Sequence, residues 1–322
     1  MEEKIRKKDV ERVTILLNVY NEQYHIETFF NSLKKQTFQN FSILIIDDGS
    51  TDNTTKKIEL YKQFFNMTIL KRSHEGLRKA RSYGVKQTDC DILIILDSDL
   101  ILNPNAIKEL IKPLKNNNEI AATGGILKNA EKGAITESYS ELRKLFIKLR
   151  TKKEGYVDWI NGGFCAIRKK IINDLGGYTQ QETSEDLDIS WRIRKKGYKL
   201  YLAKKAIALH HDPTTFKGIW KREYNTGKRE YLLTKKHKSN ALTGKRIIRF
   251  YPLLLPIIII ILIFISWILI PIIFLLSFIP LIILLKGKLL ARITAWFTFN
   301  IMNFAYCIGF IKSLISKEKN NY

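Results

Sequence analysis

Short apolar runs alternate with amphipathic segments over the first hundred residues of the chain. Four of these runs predict β-strands, at residues 13–17, 41–46, 67–70 and 92–96. A continuous apolar run is typical of a strand buried on both faces of a parallel sheet. Apolar residues at helical spacing predict intervening helices, at about residues 26–36, 52–65 and 76–86. Strands that alternate with helices indicate right-handed crossovers and a doubly wound α/β sheet.

The C-terminal part of the chain is a long apolar tract. Residues 252–285 carry no charge over about 34 positions, whereas one membrane span needs roughly 20. Because Pro271 lies near the middle and basic residues flank both ends, we expect a helical hairpin with both ends on the cytoplasmic side. One long kinked span is the alternative. Residues 293–311 form a weaker apolar segment that is either a third span or packs in a groove.

The overall charge is strongly basic, and it points to anionic partners. The net charge is +23 and the isoelectric point about 9.8, so phosphorylated substrates and anionic lipid are candidate partners. No nucleic-acid-binding motif accompanies this charge, and we expect no nucleic-acid partner. The three cysteines, Cys90, Cys165 and Cys307, are widely separated, which indicates a reducing compartment rather than a disulfide framework. Residues 1–12 lack an apolar core, so a cleaved signal peptide is not expected.

The second predicted strand ends in a polar turn, at residues 47–52 (DDGSTD). Gly49 permits a tight turn. The side chains of Ser50, Thr51 and Asp52 are expected to cap the helix that runs from there to about residue 65. On this pattern alone, the two aspartates before the glycine are either part of a capped turn or part of a ligand site.

Carboxylates follow three of the four predicted strands, at Glu22, Asp47, Asp48, Asp97 and Asp99. Ligands of open α/β sheets bind beyond the carboxyl ends of the strands, so we expect these side chains to converge on one crevice. Two carboxylates as close in sequence as Asp97 and Asp99 repel each other unless a cation lies near them. A divalent cation that bridges to substrate phosphates is the usual solution, and a solvated strand end is the alternative. No G-x-G-x-x-G follows the first strand, which disfavours a nicotinamide cofactor.

Four motifs occur in a fixed order: VYNE at residues 19–22, DDGSTD at 47–52, G-L-x-x-A-R-x-x-G at 76–84 and D-x-D at 97–99. This order resembles the family 2 glycosyltransferases of the GT-A fold. The resemblance continues in Asn161-Gly162-Gly163, in Glu185-Asp186 and in His210, and it covers roughly residues 12–230. Asn18 stands where the family often has proline, and Ser82 where it often has asparagine. The Q-x-x-R-W motif of processive polysaccharide synthases is absent, so the chain looks more like the non-processive members.

The resemblance implies a nucleotide-sugar donor linked to UDP, GDP or dTDP. Contacts with the nucleotide or the donor sugar are expected from ten positions: Tyr20, Glu22, Asp47, Asp48, Arg81, Asp97, Asn161, Gly162, Gly163 and Arg222. Asp99, helped by Asp97, is expected to hold Mg²⁺ or Mn²⁺ against the diphosphate. A further metal ligand is expected at the end of the 206–209 strand, and we favour His210 over His211.

The resemblance also implies a general base, because the acceptor hydroxyl has a pKa far above 7. Asp186 is the expected base and Glu185 its neighbour. Both lie where a loop leads into a helix, a position at which the helix dipole favours carboxylates, so simple helix capping is the alternative. One base opposite the leaving group implies a single displacement with inversion at the anomeric carbon.

The resulting expectation is a membrane-anchored enzyme with three regions. A GT-A catalytic domain at residues 1–235 divides into a nucleotide-sugar half (about 10–100) and an acceptor half (about 101–235). A basic linker at 236–250 leads to membrane helices at 251–315. An integral membrane protein with a cytoplasmic catalytic domain suggests a lipid-linked acceptor, either polyprenyl-phosphate or a lipid-linked or cell-surface glycan. A catalytically inactive, membrane-anchored scaffold that binds nucleotide-sugar is the main alternative, and a Mg²⁺-dependent phosphatase is a weaker one.

Overall fold

The computed structural model describes residues 11–150, 155–179, 184–237 and 289–315. The strands are β1 (Val13–Val19), β2 (Ser42–Asp47), β3 (Met67–Lys71), β4 (Ile92–Asp97), β5 (Leu100–Leu102), β6 (Ile120–Asn129), β7 (Tyr156–Val157), β8 (Phe164–Arg168) and β9 (Lys199–His210). The helices are α1 (Ile26–Lys34), α2 (Thr54–Glu59), α3 (Leu77–Gln87), α4 (Ala106–Asn116), α5 (Ala134–Arg150), α6 (Lys169–Asp174), α7 (Glu185–Lys195), α8 (Phe216–His237) and α9 (Leu289–Ile315). The hairpin predicted at about 252–285 lies outside the described residues.

The strands form one sheet in the order β3-β2-β1-β4-β8-β6-β9-β5, with β7 paired to β9. Its first four strands are mutually parallel, and β8 runs antiparallel to β4. All seven residues of β1 are buried, as expected for a central strand covered on both faces. The predicted α/β fold with a mostly parallel sheet is therefore confirmed, and the four predicted strands lie where the apolar runs placed them.

Helix α2 is shorter than predicted, because it ends at Glu59 rather than near residue 65. The aromatic residues that follow it cover the core instead: Tyr61 stacks on Phe30 with ring centroids 4.7 Å apart, and Phe65 lies 6.0 Å from the same ring. Of the three predicted caps, Asp52 contacts the start of this helix, since its Oδ1 accepts a hydrogen bond from the backbone N–H of Thr54 at 2.9 Å, while the N-cap residue Asn53 makes no side-chain capping bond. The prediction is wrong for Ser50 and Thr51, whose hydroxyls bond to Asn21 instead. Packing of the aromatic rings thus overrides the helical periodicity.

The chain divides into two compact units. The first comprises the described residues within 1–127, 152–180 and 189–209, and it contains nearly all of the sheet. Its core is a cluster of aliphatic and aromatic side chains from β1, β2, β4, α1 and α4. The second comprises the described residues within 128–151, 181–188 and 210–322, and it contains α5, α8 and α9. The predicted boundaries at 235 and 250 stay predictions.

The second unit is built around the packing of α8 against α9. Gly227 and Gly309 are the contact points: a Cβ built on Gly227 would overlap the Tyr306 carbonyl and lie 3.0 Å from the Phe310 nitrogen. A Cβ on Gly309 would lie 3.1 Å from the Tyr224 Cα. Tyr306 donates a buried hydrogen bond to Glu230 across the same interface, at 2.8 Å. The two glycines allow the helix backbones to touch.

Among the described residues, one helix is long and apolar enough to cross a membrane, over the 22 residues Thr294–Ile315. Helix α9 as a whole extends beyond both ends of the weaker apolar segment predicted at 293–311. Length and composition carry this assignment, and part of the helix is buried within its own unit. The choice between two and three membrane spans stays a prediction.

Candidate functional site

The first unit brings the acidic strand ends side by side. In the parallel register, Asn18 of β1 pairs with Asp97 of β4, and Val19 pairs with Asp47 of β2. The chain continues from β1 into Glu22 and from β4 into Asp99. The carboxyl edge of the sheet therefore gathers the carboxylates that the strand pattern pointed to.

The pKa of Glu22 reflects its burial at this edge and the carboxylates around it. Burial raises the pKa of this side chain, and the negative charges of Asp99, Asp97 and Asp52 raise it further, to about 7. Carboxylates that lie this close repel one another, and a bound divalent cation would lower that repulsion. The sheet edge therefore offers several neighbouring carboxylates to a ligand.

Asp97 and Asp99 fit Mg²⁺ or Mn²⁺ by the chemistry of their donors. Both supply hard carboxylate oxygens, and Mg²⁺ is commonly held by one or two carboxylates together with substrate phosphates. In the part of the chain that the structure describes, no group of three or more His, Cys, Asp or Glu side chains is arranged to hold a metal ion. Asp97 and Asp99 would thus supply only part of the ligands of a metal at this edge.

Asp97 lies in a cradle made by an arginine and a glycine. The guanidinium of Arg81, whose side chain is 5% exposed, donates to Asp97 Oδ1 at 3.2 Å. The backbone N–H of Asp97 donates to the carbonyl of Gly163 at 2.8 Å, and a Cβ at Gly163 would overlap the carboxylate. Asn161 accepts a hydrogen bond from the Gly163 N–H at 2.7 Å, which closes the turn. The Asn161-Gly162-Gly163 motif therefore shapes the surroundings of Asp97.

Asp47 and Asp48 are both buried, and each binds a loop of the first unit. Asp47 accepts from the backbone N–H of Ser50 at 2.8 Å and from the Thr55 hydroxyl at 2.5 Å. Asp48 accepts from the backbone N–H of Gly76 at 2.8 Å. These contacts correspond to the capped-turn alternative, so the two aspartates hold the loops around the site. A contact with the nucleotide stays a prediction for both.

An aromatic pair that sequence reasoning missed lies next to Asp48. The Tyr20 and His74 rings stack with centroids 3.9 Å apart and an angle of 20° between their planes. His74 Nδ1 lies 2.9 Å from Asp48 Oδ2, and Tyr20 is 40% exposed. His74 follows β3 in a polar loop without a motif, so the sequence carried no signal for it. The stacked pair gives the acidic edge a flat aromatic surface, which suits a planar base.

In the second unit, Glu185 and Asp186 occupy the first turn of α7. Both are half-buried, and the backbone N–H of Leu187 lies 2.9 Å from Asp186 Oδ1. The predicted position at the start of a helix is therefore observed. The neighbouring Asp188 is fully buried against His237 at 2.7 Å, and it belongs to the packing of the unit rather than to a site.

The two histidines at the end of β9 each contact a different carboxylate. His210 Nδ1 lies 3.2 Å from Asp212 Oδ1, and His211 Nδ1 lies 2.6 Å from Glu131 Oε1. Asp212 Oδ1 also accepts from Arg143 and, at 3.3 Å, from Arg222. Burial alone would raise the pKa of Asp212, but the hydrogen bond from His210 and the two arginine charges together lower it below its usual range. Asp212 is therefore ionised at neutral pH.

The parallel strands β3-β2-β1-β4 with acidic carboxyl ends, together with antiparallel β8, form an α/β fold of the GT-A type, which solved structures share. The mannosyltransferase PcManGT of Pyrobaculum calidifontis, solved with GDP-Man and Mn²⁺, shares the fold with a TM-score of 0.70 at 16% identity, covering 96% of this chain and 88% of that one. TarS of S. aureus shares it with a TM-score of 0.51 at 16% identity, over 70% of this chain and 42% of that one.

Residues 14–176, half of the chain, match the model of glycosyl transferase family 2, and the chain belongs to that family. It is 28% identical over 219 residues to the poly-beta-1,6-N-acetyl-D-glucosamine synthase of Staphylococcus aureus (strain COL), covering 66% of this chain and 53% of the relative. The corresponding protein of Staphylococcus epidermidis is 26% identical over 218 residues. The chain spans about half the length of the curated relatives that it matches.

Proposed function

We propose that the protein is an inverting, metal-dependent glycosyltransferase that moves a sugar from a nucleotide-sugar to a hydroxyl or phosphate acceptor. The observation that carries the proposal is the cluster of carboxylates around Asp97 at the carboxyl edge of the sheet, where burial and then the charges of Asp99, Asp97 and Asp52 raise the pKa of Glu22 to about 7. Membership of family 2 supports it, as does one fold relative solved with a nucleotide-sugar and Mn²⁺.

On this proposal, the residues at the sheet edge bind the donor. Asp97 and Asp99 hold Mg²⁺ or Mn²⁺, which supplies positive charge to the diphosphate as it leaves. Arg81 keeps Asp97 oriented, since its buried guanidinium contacts the carboxylate directly. Tyr20 and Glu22 face the nucleoside, with Asp47 and Asp48 fixing the loops that surround it. Asn161, Gly162 and Gly163 border the donor sugar.

The remaining roles in the proposal belong to residues of the second unit. Asp186 takes the proton from the acceptor as it attacks the anomeric carbon, with Glu185 beside it. His210 is the further metal ligand, with His211 as the alternative, and Arg222 contacts the diphosphate. Attack from the side opposite the leaving group inverts the configuration at the anomeric carbon.

The acceptor on this proposal is lipid-linked, either a polyprenyl-phosphate or a lipid-linked or cell-surface glycan. The apolar tract at 252–285 and the apolar helix Thr294–Ile315 support an integral membrane protein, with its catalytic domain on the cytoplasmic side. The sequence lacks Q-x-x-R-W, which supports single rather than processive transfer, even though two relatives carry the names of polymer synthases. Extraction of labelled product into organic solvent tests the lipid acceptor; product confined to the aqueous phase would contradict it.

The donor and the base are tested together with membranes that contain the full chain. Labelled UDP-, GDP- and dTDP-sugars are offered to the wild type and to Asp186→Asn. Loss of a general base is expected to lower turnover about 10²–10⁴-fold while donor binding persists. Asp174→Asn makes the same chemical change at an exposed position of α6 and serves as the matched control.

Three outcomes separate the alternatives. Turnover that falls in Asp186→Asn and not in Asp174→Asn supports the proposed base. Equal turnover of Asp186→Asn and the wild type removes Asp186 from that role. Tight binding of a nucleotide-sugar with no turnover of any donor by the wild type would favour the inactive scaffold over the enzyme.

A further inference from the structure

Helix α9 reverses the pattern expected of a surface helix in water. Phe297, Phe304 and Ile315 are 49%, 41% and 73% exposed, and their spacing of 7 and 11 positions places all three on one face of the helix. The opposite face packs within the second unit, and it contains the buried polar residues Tyr306 and Ser313. A surface helix in water normally buries its apolar face and exposes its polar one. The exposed face of α9 therefore indicates an apolar partner.

The contact between α8 and α9 decides how α9 can meet a membrane. By length and composition alone, α9 could cross a bilayer. Its backbone touches that of α8 at Gly227 and Gly309, however, and the Tyr306 hydroxyl donates to the buried Glu230 across this contact at 2.8 Å. The 22 residues of α8 include seven Lys and Arg and two Glu. Because charged side chains are costly in hydrocarbon, α8 is excluded from the bilayer core, and a helix packed along it is excluded as well.

The first half of α9 is held by α5, which is also a charged helix. Thr294 donates to the Ala134 carbonyl at 3.1 Å and contacts the Ser138 hydroxyl. Tyr139 of α5 and Met302 of α9 belong to one buried apolar cluster. The 17 residues of α5 include four Lys and Arg and two Glu. Both halves of α9 are therefore packed against charged helices, and its exposed apolar face is the side that can meet lipid.

Lysines of α8 lie beside the aromatic part of this surface. The rings of Trp220 and Phe304 lie 6.1 Å apart and join the two helices. Lys217 and Lys221, three residues before Trp220 and one after it, are both exposed. Helices that lie in a membrane interface combine lysines at the headgroups with aromatic and aliphatic residues at the acyl boundary. We call this surface the α8–α9 face, made of Lys217, Trp220, Lys221, Phe297, Phe304 and Ile315.

The uncharged tract at 252–285 is the competing occupant of the α8–α9 face. Because the tract contains no charged residue, it offers no anion to Lys217 and Lys221. An anionic lipid surface offers both negative headgroups for the lysines and acyl chains for the aromatic and aliphatic side chains. Charge complementarity therefore favours lipid over the tract.

We propose that the α8–α9 face binds the surface of an anionic membrane, with α9 lying in the plane of the interface rather than crossing the bilayer. Helix α9 is then not a third membrane span. The inference goes beyond the proposed function, since it concerns how the second unit is attached and requires no transfer of sugar.

Spin labels along α9 distinguish the two orientations. The full chain, with its three buried cysteines replaced by alanine, is reconstituted in vesicles of phosphatidylcholine and phosphatidylglycerol. Single labels at Phe297→Cys, Phe304→Cys and Ile311→Cys are each 7 positions apart, which is about 10 Å along the helix axis. The depth of each label follows from its relative accessibility to oxygen and to a water-soluble nickel complex. Phe64→Cys, at an exposed aromatic position of the first unit, is the matched control and should lie in water.

Each outcome of the depth measurement supports or overturns the proposal. A helix in the plane of the interface places the three labels at one shallow depth, about 5–10 Å into the boundary between headgroups and acyl chains. A helix that crosses the bilayer would place the label at 304 deepest and the other two about 10 Å nearer to opposite surfaces, which would overturn the proposal. Labels that lie in water like the one at 64, or that neither reagent reaches because the tract covers them, would overturn it as well.

The role of the lysines is tested with the label at 304. Lys217→Gln together with Lys221→Gln is expected to lower the ratio of lipid-inserted to water-exposed label by about fivefold for each lysine. Lys204→Gln together with Lys205→Gln makes the same change at two exposed lysines of β9, and this pair should leave the ratio within about twofold. Equal effects of the two pairs, or an unchanged ratio in vesicles without phosphatidylglycerol, would overturn the anionic partner. Thermal unfolding of each variant shows whether the fold is retained.

The proposed function fails or stands by a separate measurement. Labels at one shallow depth in a chain that turns over no nucleotide-sugar would remove the proposed function and leave the membrane-bound face. A chain that transfers sugar while α9 crosses the bilayer would do the opposite.

Discussion

Replacing Gly163 with alanine should displace the carboxylate of Asp97. A Cβ at Gly163 would lie 2.7 Å from Asp97 Oδ1 and closer still to Oδ2 and Cγ, against an ordinary contact distance of at least 3.4 Å. The backbones cannot separate to make room, because the Asp97 N–H donates to the Gly163 carbonyl and the next pair, Leu96 and Phe164, is in the β4–β8 ladder. The side chain of Asp97 must therefore move.

The size of the effect follows from overpacking. A methyl group forced into a filled space costs about 1–3 kcal/mol of unfolding free energy. Because the overlapping atoms belong to one side chain, removing that side chain should remove most of the cost. Gly163→Ala in an Asp97→Ala background should then cost less than about 0.5 kcal/mol, which gives a coupling energy of roughly 1–2 kcal/mol between the two positions.

The assay is a double-mutant cycle on the denaturation of the full chain, which needs no knowledge of the substrate. Gly84→Ala serves as the control, since a Cβ there would lie 2.5 Å from Leu16 Cδ1 and 2.9 Å from Ile46 Cγ1, in the core of the same unit. Its cost should be the same whether or not residue 97 is aspartate. If Gly163→Ala costs equally much in both backgrounds, the cradle around Asp97 is wrong.

Two further predictions concern pH and helix packing. The pKa of Glu22 is about 7 in the folded protein, against an ordinary value of 4.5, so between these two pH values the folded protein binds one proton that the unfolded chain does not. The stability that this proton contributes is full below pH 4.5 and is lost as the pH rises through 7. Glu22→Gln should remove this loss of stability with pH, which is below about 2 kcal/mol for a half-buried group. Denaturation midpoints of the wild type and the variant at pH 5 and pH 8 measure the loss. Parallel pH profiles for the two proteins would contradict the shift in the pKa of Glu22. Gly227→Ala should lower the unfolding free energy by about 1–3 kcal/mol, because the added methyl group forces α8 away from α9. Lys221→Ala, at an exposed position of α8, should change the unfolding free energy by less than about 0.5 kcal/mol. Equal effects of the two substitutions in calorimetric unfolding would refute the close contact between the helices.

The parallel half of the sheet was predictable because its signals are local. Each of the strands β1 to β4 is a run of adjacent apolar residues, which can be recognised in the sequence. The alternation of strands with helices then leaves few possible topologies for the sheet. The carboxylates at the strand ends followed from the same reasoning, since the ends of parallel strands meet at one edge. The length of α2 was not predictable, because the fate of Tyr61 and Phe65 depends on where Phe30 lies in the folded core.

The α/β class, the family and the acidic edge could all be predicted from the amino-acid sequence, because short-range periodicity and ordered motifs encode them. Folding was needed to show that β8 lies beside β4, which brings Gly163 against Asp97, and that the His74 ring stacks on Tyr20. The same is true of the contact of Arg143, His210 and Arg222 with the Asp212 carboxylate. These contacts join residues that are distant in the chain, and packing rather than local pattern selects which distant residues become neighbours.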